Sequence, residues 1–215
     1  MIVTERLIIF SRYPEPGKTK TRMIPALGAD GAAKLQRRMT EHTVAQVKEL
    51  TTGRPVSVEI HFAGGNQQLM QDWLGSNLVC KPQSDGELGK RITSAFQLSF
   101  GESMTKVVII GIDCPDLNSS VMNQAFEALD NHDLVLGPAK DGGYYLVGLD
   151  RLIPDLFVGV NWGTSEVLQQ TVDIGKSLNL TMAMLSELTD VDRPEDLWVV
   201  SNLISDIGKG VGSRE

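Results

Sequence analysis

Between Val107 and Ile112 every residue but Gly111 is β-branched, within the run K-V-V-I-I-G-I-D-C-P-D-L from Lys106 to Leu117. A run with no polar side reads as a strand covered on both faces, the kind found in the middle of a parallel sheet. Two carboxylates then follow at once. An unpaired carboxylate in a core costs several kcal/mol or more, so Asp113 and Asp116 belong at the strand's carboxyl end, where open α/β sheets bind ligands. Pro115 biases Cys114 towards an extended backbone, which helps keep Asp113 off the strand tip and out of a helix. A carboxylate presented in this way suits a divalent ion carrying phosphates. The competing reading is a helix cap, a job that Asn118 or Ser119 also suits.

The 215 residues hold enough apolar material for one substantial core, and no Ser/Gly/Pro-rich linker divides them. One domain over residues 1–207 is expected, with a frayed tail over 208–215. A net charge of -7 and a pI near 5.0 argue against nucleic acid or an anionic membrane as partner, since both select a basic face. Cys80 and Cys114 lack C-x-x-C spacing and read as packed thiols. The N-terminus lacks the basic and apolar regions of a secretory signal, and no apolar run is long enough to span a bilayer. A cytoplasmic protein is expected.

Leu7–Phe10 reads as the first buried strand, and the loop after it is unusual. From Ser11 to Pro25, S-R-Y-P-E-P-G-K-T-K-T-R-M-I-P carries three prolines, which forbid a regular helix, and four cations, Arg12, Lys18, Lys20 and Arg22. A cationic loop leaving the carboxyl end of a strand is suited to gripping a di- or triphosphate; otherwise it is a solvated surface loop. Gly28–Thr52 has a helical stripe in Leu35, Met39, Thr43, Val47 and Leu50. Val56–Phe62 alternates apolar and polar residues, predicting a half-buried strand with His61 on the polar side. Neither His42 nor His61 has a partner at metal-binding spacing. Asn66–Leu74 reads as a short helix with Leu69, Trp73 and Leu74 inward.

Further on, the turn at Asp85-Gly86 opens a helical stripe from Leu88 to Phe96, and Gly86 either lets a ligand approach the backbone or makes an ordinary turn. Asp141, Gly142, Gly143 and Tyr144 combine an anion, backbone freedom and a hydrogen-bonding ring suited to a sugar-like ligand; Asp-Gly is equally a hairpin signal. Trp162, before a helix capped by Thr164 or Ser165, is either core or a stacking surface. Asp190 and Asp192 flank a valine just ahead of a helix opened by Pro194, and one or both can serve a cap or an ion.

Taken together, P-x-P-G-K-x-K-T-R, G-x-L-G-x-R at Gly86–Arg91, G-I-D-C-P-D-L at Gly111–Leu117, G-P-A-K-D-G-G-Y-Y at Gly137–Tyr145, W-x-T at Trp162–Thr164 and D-V-D-R-P-E-D-L resemble the nucleotide-diphospho-sugar transferase superfamily. More closely, they resemble its small bacterial branch of uncharacterised glycosyltransferases that carry a domain of unknown function. The resemblance runs from about Arg6 to Val200. It implies a GT-A fold, a three-layer α/β/α sandwich around a mostly parallel mixed sheet with one antiparallel strand. It also implies that Asp113 stands for the metal-binding aspartate, although D-C-P-D replaces a literal D-x-D. Asp192 would be the second metal ligand, and Mg2+ or Mn2+ the cofactor.

The resemblance implies a transferase taking a nucleotide diphospho-sugar to an unknown small-molecule acceptor. Arg12, Lys18, Lys20, Arg22 and Gly86 would meet the diphosphate, while Asp141, Gly142, Gly143, Tyr144 and Trp162 would line the sugar or acceptor. Asp113 and Asp141 are the candidate catalytic residues, Asp141 as base, with Glu166 as the lesser choice. The first alternative is a nucleotidyltransferase joining an NTP to a phosphorylated acceptor with release of pyrophosphate. The second is a nucleotide-binding regulatory module without turnover.

Overall fold

The computed structural model describes residues 3–201 and residue 203; the tail expected to fray, 208–215, lies outside them. In chain order the strands and α-helices are β1 (Glu5–Arg12), α1 (Ile24–Gly53), β2 (Ser57–Ala63), α2 (Gln67–Leu74), β3 (Val79–Pro82), α3 (Leu88–Gly101), β4 (Lys106–Ile110), α4 (Ser119–Ala128), β5 (Leu134–Pro138), β6 (Tyr144–Leu149), α5 (Val167–Ser177) and β7 (Met182–Met184). Short 3-10 turns cover Thr21–Met23, Pro154–Phe157 and Pro194–Val200.

The strands form one sheet in the order β3-β2-β1-β4-β6-β5-β7. Only β6 runs against its neighbours, pairing antiparallel with both β4 and β5. The β-branched run is therefore central, as its composition demands: β4 lies between β1, in parallel register from Glu5↔Lys106 to Ile9↔Ile110, and β6. Alternate residues feed two cores. Leu7, Ile9, Val108 and Ile110 pack against α1, α2 and α4 on one face, while Ile8, Val107 and Ile109 pack against α3 and the Pro154–Phe157 turn on the other. Helices on both faces of a mixed, mostly parallel sheet make the α/β/α sandwich.

The chain order reverses between β1 and β4: β1 leads to β2 and β3 on one side, and the chain returns to place β4 on the other. A reversal of this kind leaves a crevice outside the carboxyl ends of the two strands. The flanking helices are capped where their sequences provide for it. The Asn66 and Asn118 side chains accept hydrogen bonds from Leu69 N and Val121 N, at 2.9 and 3.1 Å. With Asn118 in that role, neither Asp113 nor Asp116 is needed as a cap.

Three expectations change. β2 is not half-buried: Glu59 and His61 are as buried as Ile60 and Phe62. They tolerate burial because they satisfy one another, with His61 Nε2 donating to Glu59 Oε2 at 2.9 Å, Lys81 Nζ to Glu59 Oε1 at 2.9 Å, and Arg6 Nη1 at 3.2 Å from the same carboxylate. In α2 the buried residue is Met70 and Leu69 is exposed, while Trp73 donates from Nε1 to Glu41 and lies under the Arg37 guanidinium. Helix α1 begins at Ile24, ahead of the expected Gly28, and Gly28 marks a break with φ 70°.

Candidate active site

Two adjoining cavities open at the crevice between β1 and β4. The larger, about 890 Å³, extends over the β5–β6 hairpin and Trp162; the smaller, about 510 Å³, lies under the cationic loop after β1. Phe10, Arg22, Leu88, Gly111, Asp113 and Asp192 line both and so form the rim between them.

This rim is built from segments distant in sequence. The main chain after β4 meets the segment before the last 3-10 turn through a hydrogen bond from Val191 N to the Asp113 carbonyl, 2.8 Å. Val191 is fully buried in the core, which leaves Asp190 and Asp192 on either side of it beside Asp113. The cationic loop closes onto the same place: Lys20 Nζ stands 2.7 Å from Asp113 Oδ1, and Arg22 pairs with Asp192. The Asp192 and Arg193 backbone amides both donate to Asp196 Oδ2, at 3.1 and 2.8 Å, which fixes the turn. Behind the loop after β4, His42 on α1 donates from Nε2 to the Pro115 carbonyl at 2.9 Å, so α1 braces the D-C-P-D segment from the rear.

The carboxylates gather on the larger cavity, where Asp113, Asp141, Asp190, Asp192 and Asp196 all contribute. Their mutual proximity is felt by the groups among them. Burial, followed by the charge of Asp141, raises the Asp190 carboxyl above its ordinary value. Burial also pushes the Cys114 thiol far up, aided by the charges of Asp113, Asp190 and Asp141, so Cys114 is an inert packed thiol.

Of the residues expected to grip phosphate, Arg12, Lys18, Lys20 and Arg22 all line the smaller cavity, but they are not equivalent. Lys18 is exposed and paired with Glu15 at 2.7 Å, whereas the Lys20 ammonium is buried against Asp113. Gly86 lines neither cavity. Its carbonyl instead accepts from Arg91 Nε at 2.8 Å, and Arg91, held also by Gln83, does line the smaller cavity. Sequence reading passed over Arg91 and Gln83, although Arg91 closes the G-x-L-G-x-R motif.

On the larger cavity, Asp141, Gly143, Tyr144 and Trp162 are lining residues. The Asp-Gly pair is also the hairpin turn its dipeptide signals, with Gly142 N donating to Ala139 O at 3.1 Å. Gly142 lies behind the wall. Its φ is 88°, a Cβ there would sit 2.2 Å from the Ser165 carbonyl oxygen, and its own carbonyl accepts from Leu168 N, which ties the hairpin to α5. Tyr144 offers the cavity its ring and not its hydroxyl, which is buried near Thr171 without a well-formed hydrogen bond and whose ionisation burial raises strongly. Trp162 stands edge-on to Tyr144, with ring centroids 6.3 Å apart, over Gly89, where a Cβ would fall 2.6 Å from the indole nitrogen. Asp116 and Glu166 line neither cavity; Glu166 accepts instead from Gln170 at 3.0 Å.

Residues 26–164 match the family model DUF2064, described as an uncharacterized protein conserved in bacteria. The chain belongs to this family. Its superfamily follows from a solved structure from Desulfovibrio desulfuricans G20, assigned to the nucleotide-diphospho-sugar transferases, which is 31% identical over 99% of this chain and 92% of that one, with a TM-score of 0.87. More distant structures share the fold of this DUF2064 member. The inositol-1-phosphate CTP transferase of T. maritima has a TM-score of 0.59 at 14% identity, covering 98% of both chains. Glucosyl-3-phosphoglycerate synthase of Mycobacterium tuberculosis, solved with Mn2+, UDP and phosphoglyceric acid, has a TM-score of 0.55 at 14% identity, covering 96% of this chain and 79% of that one. Among curated proteins the comparison found no match. No helix among the described residues is long and apolar enough to cross a membrane.

Proposed function

We propose that the protein transfers a glycosyl group from a nucleotide diphospho-sugar to an acceptor hydroxyl, with Mg2+ or Mn2+ bound at Asp113. The observation that carries this reading is the hydrogen bond from Val191 N to the Asp113 carbonyl, which brings two acidic segments together on a cationic rim with a cavity on each side. Among the described residues no three acidic, imidazole or thiol side chains form a ready cation cage. That donor set still fits the ion, because Mg2+ is commonly held by one or two carboxylates plus substrate phosphates. Asp113 and Asp192 are the proposed ligands, and Asp190 is a further candidate because burial and neighbouring carboxylates disfavour its ionised form without a cation.

When bound, the ion neutralises charge developing on the departing nucleoside diphosphate. The chain's own residues do the remainder. Arg12, exposed and without an ion-pair partner among the described residues, joins Arg22, Lys18 and Arg91 around the smaller cavity, where paired guanidinium hydrogen bonds and lysine charge suit a diphosphate. Trp162 and Tyr144 provide flat apolar surface to a sugar ring in the larger cavity. Asp141 is the proposed base: Oδ1 is held by Gly143 N at 2.8 Å, which leaves the other oxygen for an acceptor proton.

The cationic density of the smaller cavity supports a second reading, nucleotidyl transfer from an NTP to a phosphorylated acceptor. Incubating the protein with Mn2+ and a panel of sugar nucleotides or NTPs separates the two. Release of a nucleoside diphosphate, or slow hydrolysis of the sugar nucleotide, supports glycosyl transfer. Pyrophosphate release from an NTP supports nucleotidyl transfer. Nucleotide binding with no product under any metal would leave a regulatory module and contradict both.

A further inference from the structure

Lys20 is unusual among the loop's cations. Its side chain is only 4% exposed, with Nζ 2.7 Å from Asp113 Oδ1 and 2.5 Å from the Val191 carbonyl oxygen. Its backbone lies in the left-handed region, φ 45° and ψ 44°, immediately before the Thr21–Met23 turn. A residue with a side chain adopts that conformation only where its surroundings over-determine it. Here the buried Thr19 and Met23 clamp the chain on either side. The loop is thus bent to deliver one ammonium to one place.

The two acceptors that Lys20 joins, a carboxylate oxygen and a main-chain carbonyl, are hard-oxygen groups of the kind that bind divalent ions. An ammonium is a compact point charge, and a second cation on the same carboxylate oxygen would be strongly repelled. We infer that Lys20 is the resident cation of Asp113, a positioning residue that holds the Asp113 and Val191 segments together until a divalent ion displaces its ammonium. The displaced ammonium, on the wall of the smaller cavity, is then free to meet substrate phosphate. This inference rests on the reading of Asp113 as a metal ligand. It makes metal and phosphate entry cooperative and keeps Asp113 paired before either arrives.

The test is Mn2+ binding without any nucleotide, followed by electron paramagnetic resonance of the free ion, on wild type, Lys20→Met, Lys20→Gln, Asp113→Asn and the double variant Lys20→Met/Asp113→Asn. Lys20→Gln keeps a donor for the Val191 carbonyl and guards against a loss of fold in Lys20→Met. Both neutral variants are expected to bind Mn2+ at least about tenfold more tightly than wild type. They should melt at lower temperature than wild type without metal and recover with Mn2+, and the double variant should lose the added affinity. If the folded variants bind Mn2+ no more tightly than wild type while Asp113→Asn abolishes binding, Lys20 does not compete with the ion and the metal reading stands alone. If Mn2+ binds none of these proteins, Lys20 is not what holds the ion off Asp113 and this inference fails; if Mn2+ binds regardless of Asp113, the metal reading fails and this inference with it.

Discussion

A carboxylate's neighbours decide whether it stabilises the fold or serves the site, and Glu59 and Asp190 stand at opposite ends. Burial disfavours the Glu59 anion, but hydrogen bonds from His61 and Lys81 and the charge of Arg6 outweigh burial and hold its carboxyl at about 2 against an ordinary 4.5. Its contribution is therefore complete above pH 4.5 and lost as pH falls towards 2, roughly 3 kcal/mol in all. Glu59→Gln should lower stability at pH 7 by about that amount and flatten the acid limb of an unfolding curve recorded against pH. Asp190 is raised, so its ionised form is a cost that grows as pH rises past the ordinary value of 3.8. Asp190→Asn should raise the melting temperature at pH 7 and change it little near pH 3, and wild type should gain more from Mn2+ than the variant does. Equal melting curves for the two proteins at pH 7 would mean that Asp190 does not carry this cost.

Elements were legible in the sequence where one force decides them. The β-branched run could only be a strand covered on both faces, and it became β4 at the centre of the sheet. Asn118 heads its helix as its side chain allows, and Asn118→Ala should cost about 1 kcal/mol in a denaturant titration. What the sequence hid were polar residues that find each other across elements. The alternation in β2 reads as one face in water, yet Glu59 and His61 meet Arg6 and Lys81 under α3, and no periodicity reports that. Lys20 likewise reads as a free cation, because a left-handed turn imposed by tertiary packing leaves no local signal. The Asp141-Gly142 pair makes the hairpin turn that its dipeptide signals, and Asp141 and Gly143 still line the larger cavity, so the turn does not exclude a ligand role. Gly142→Ala adds a Cβ at 2.2 Å from the Ser165 carbonyl at positive φ. It should destabilise the protein by roughly 2–4 kcal/mol by thermal unfolding, and weaken ligand binding by parting the hairpin from α5.

At the scale of the molecule, the site exists because the strand order reverses between β1 and β4 and the last 3-10 turn returns to the same edge. Each contribution is weak alone: an aspartate at a strand tip, a cationic loop, a valine-flanked pair of carboxylates. Together they give an acidic protein a ligand-sized crevice where positive charge is concentrated against carboxylates. The residues that meet at the rim were legible as types, because Asp113, Arg22 and Asp192 were marked by position and charge; their pairing was not, since it depends on the register of the Asp113 and Val191 backbones. The central claim is that this edge binds a nucleotide diphosphate group through an ion on Asp113. A ligand that binds only the folded state raises its melting temperature by mass action. The direct measurement is therefore the melting temperature with UDP-, GDP-, CDP- and dTDP-sugars and with NTPs, each with and without Mn2+, for wild type and Asp113→Asn. The account predicts a rise for at least one nucleotide that requires Mn2+ in wild type and is absent in Asp113→Asn; a rise that persists unchanged in Asp113→Asn, or no rise with any nucleotide, would contradict it.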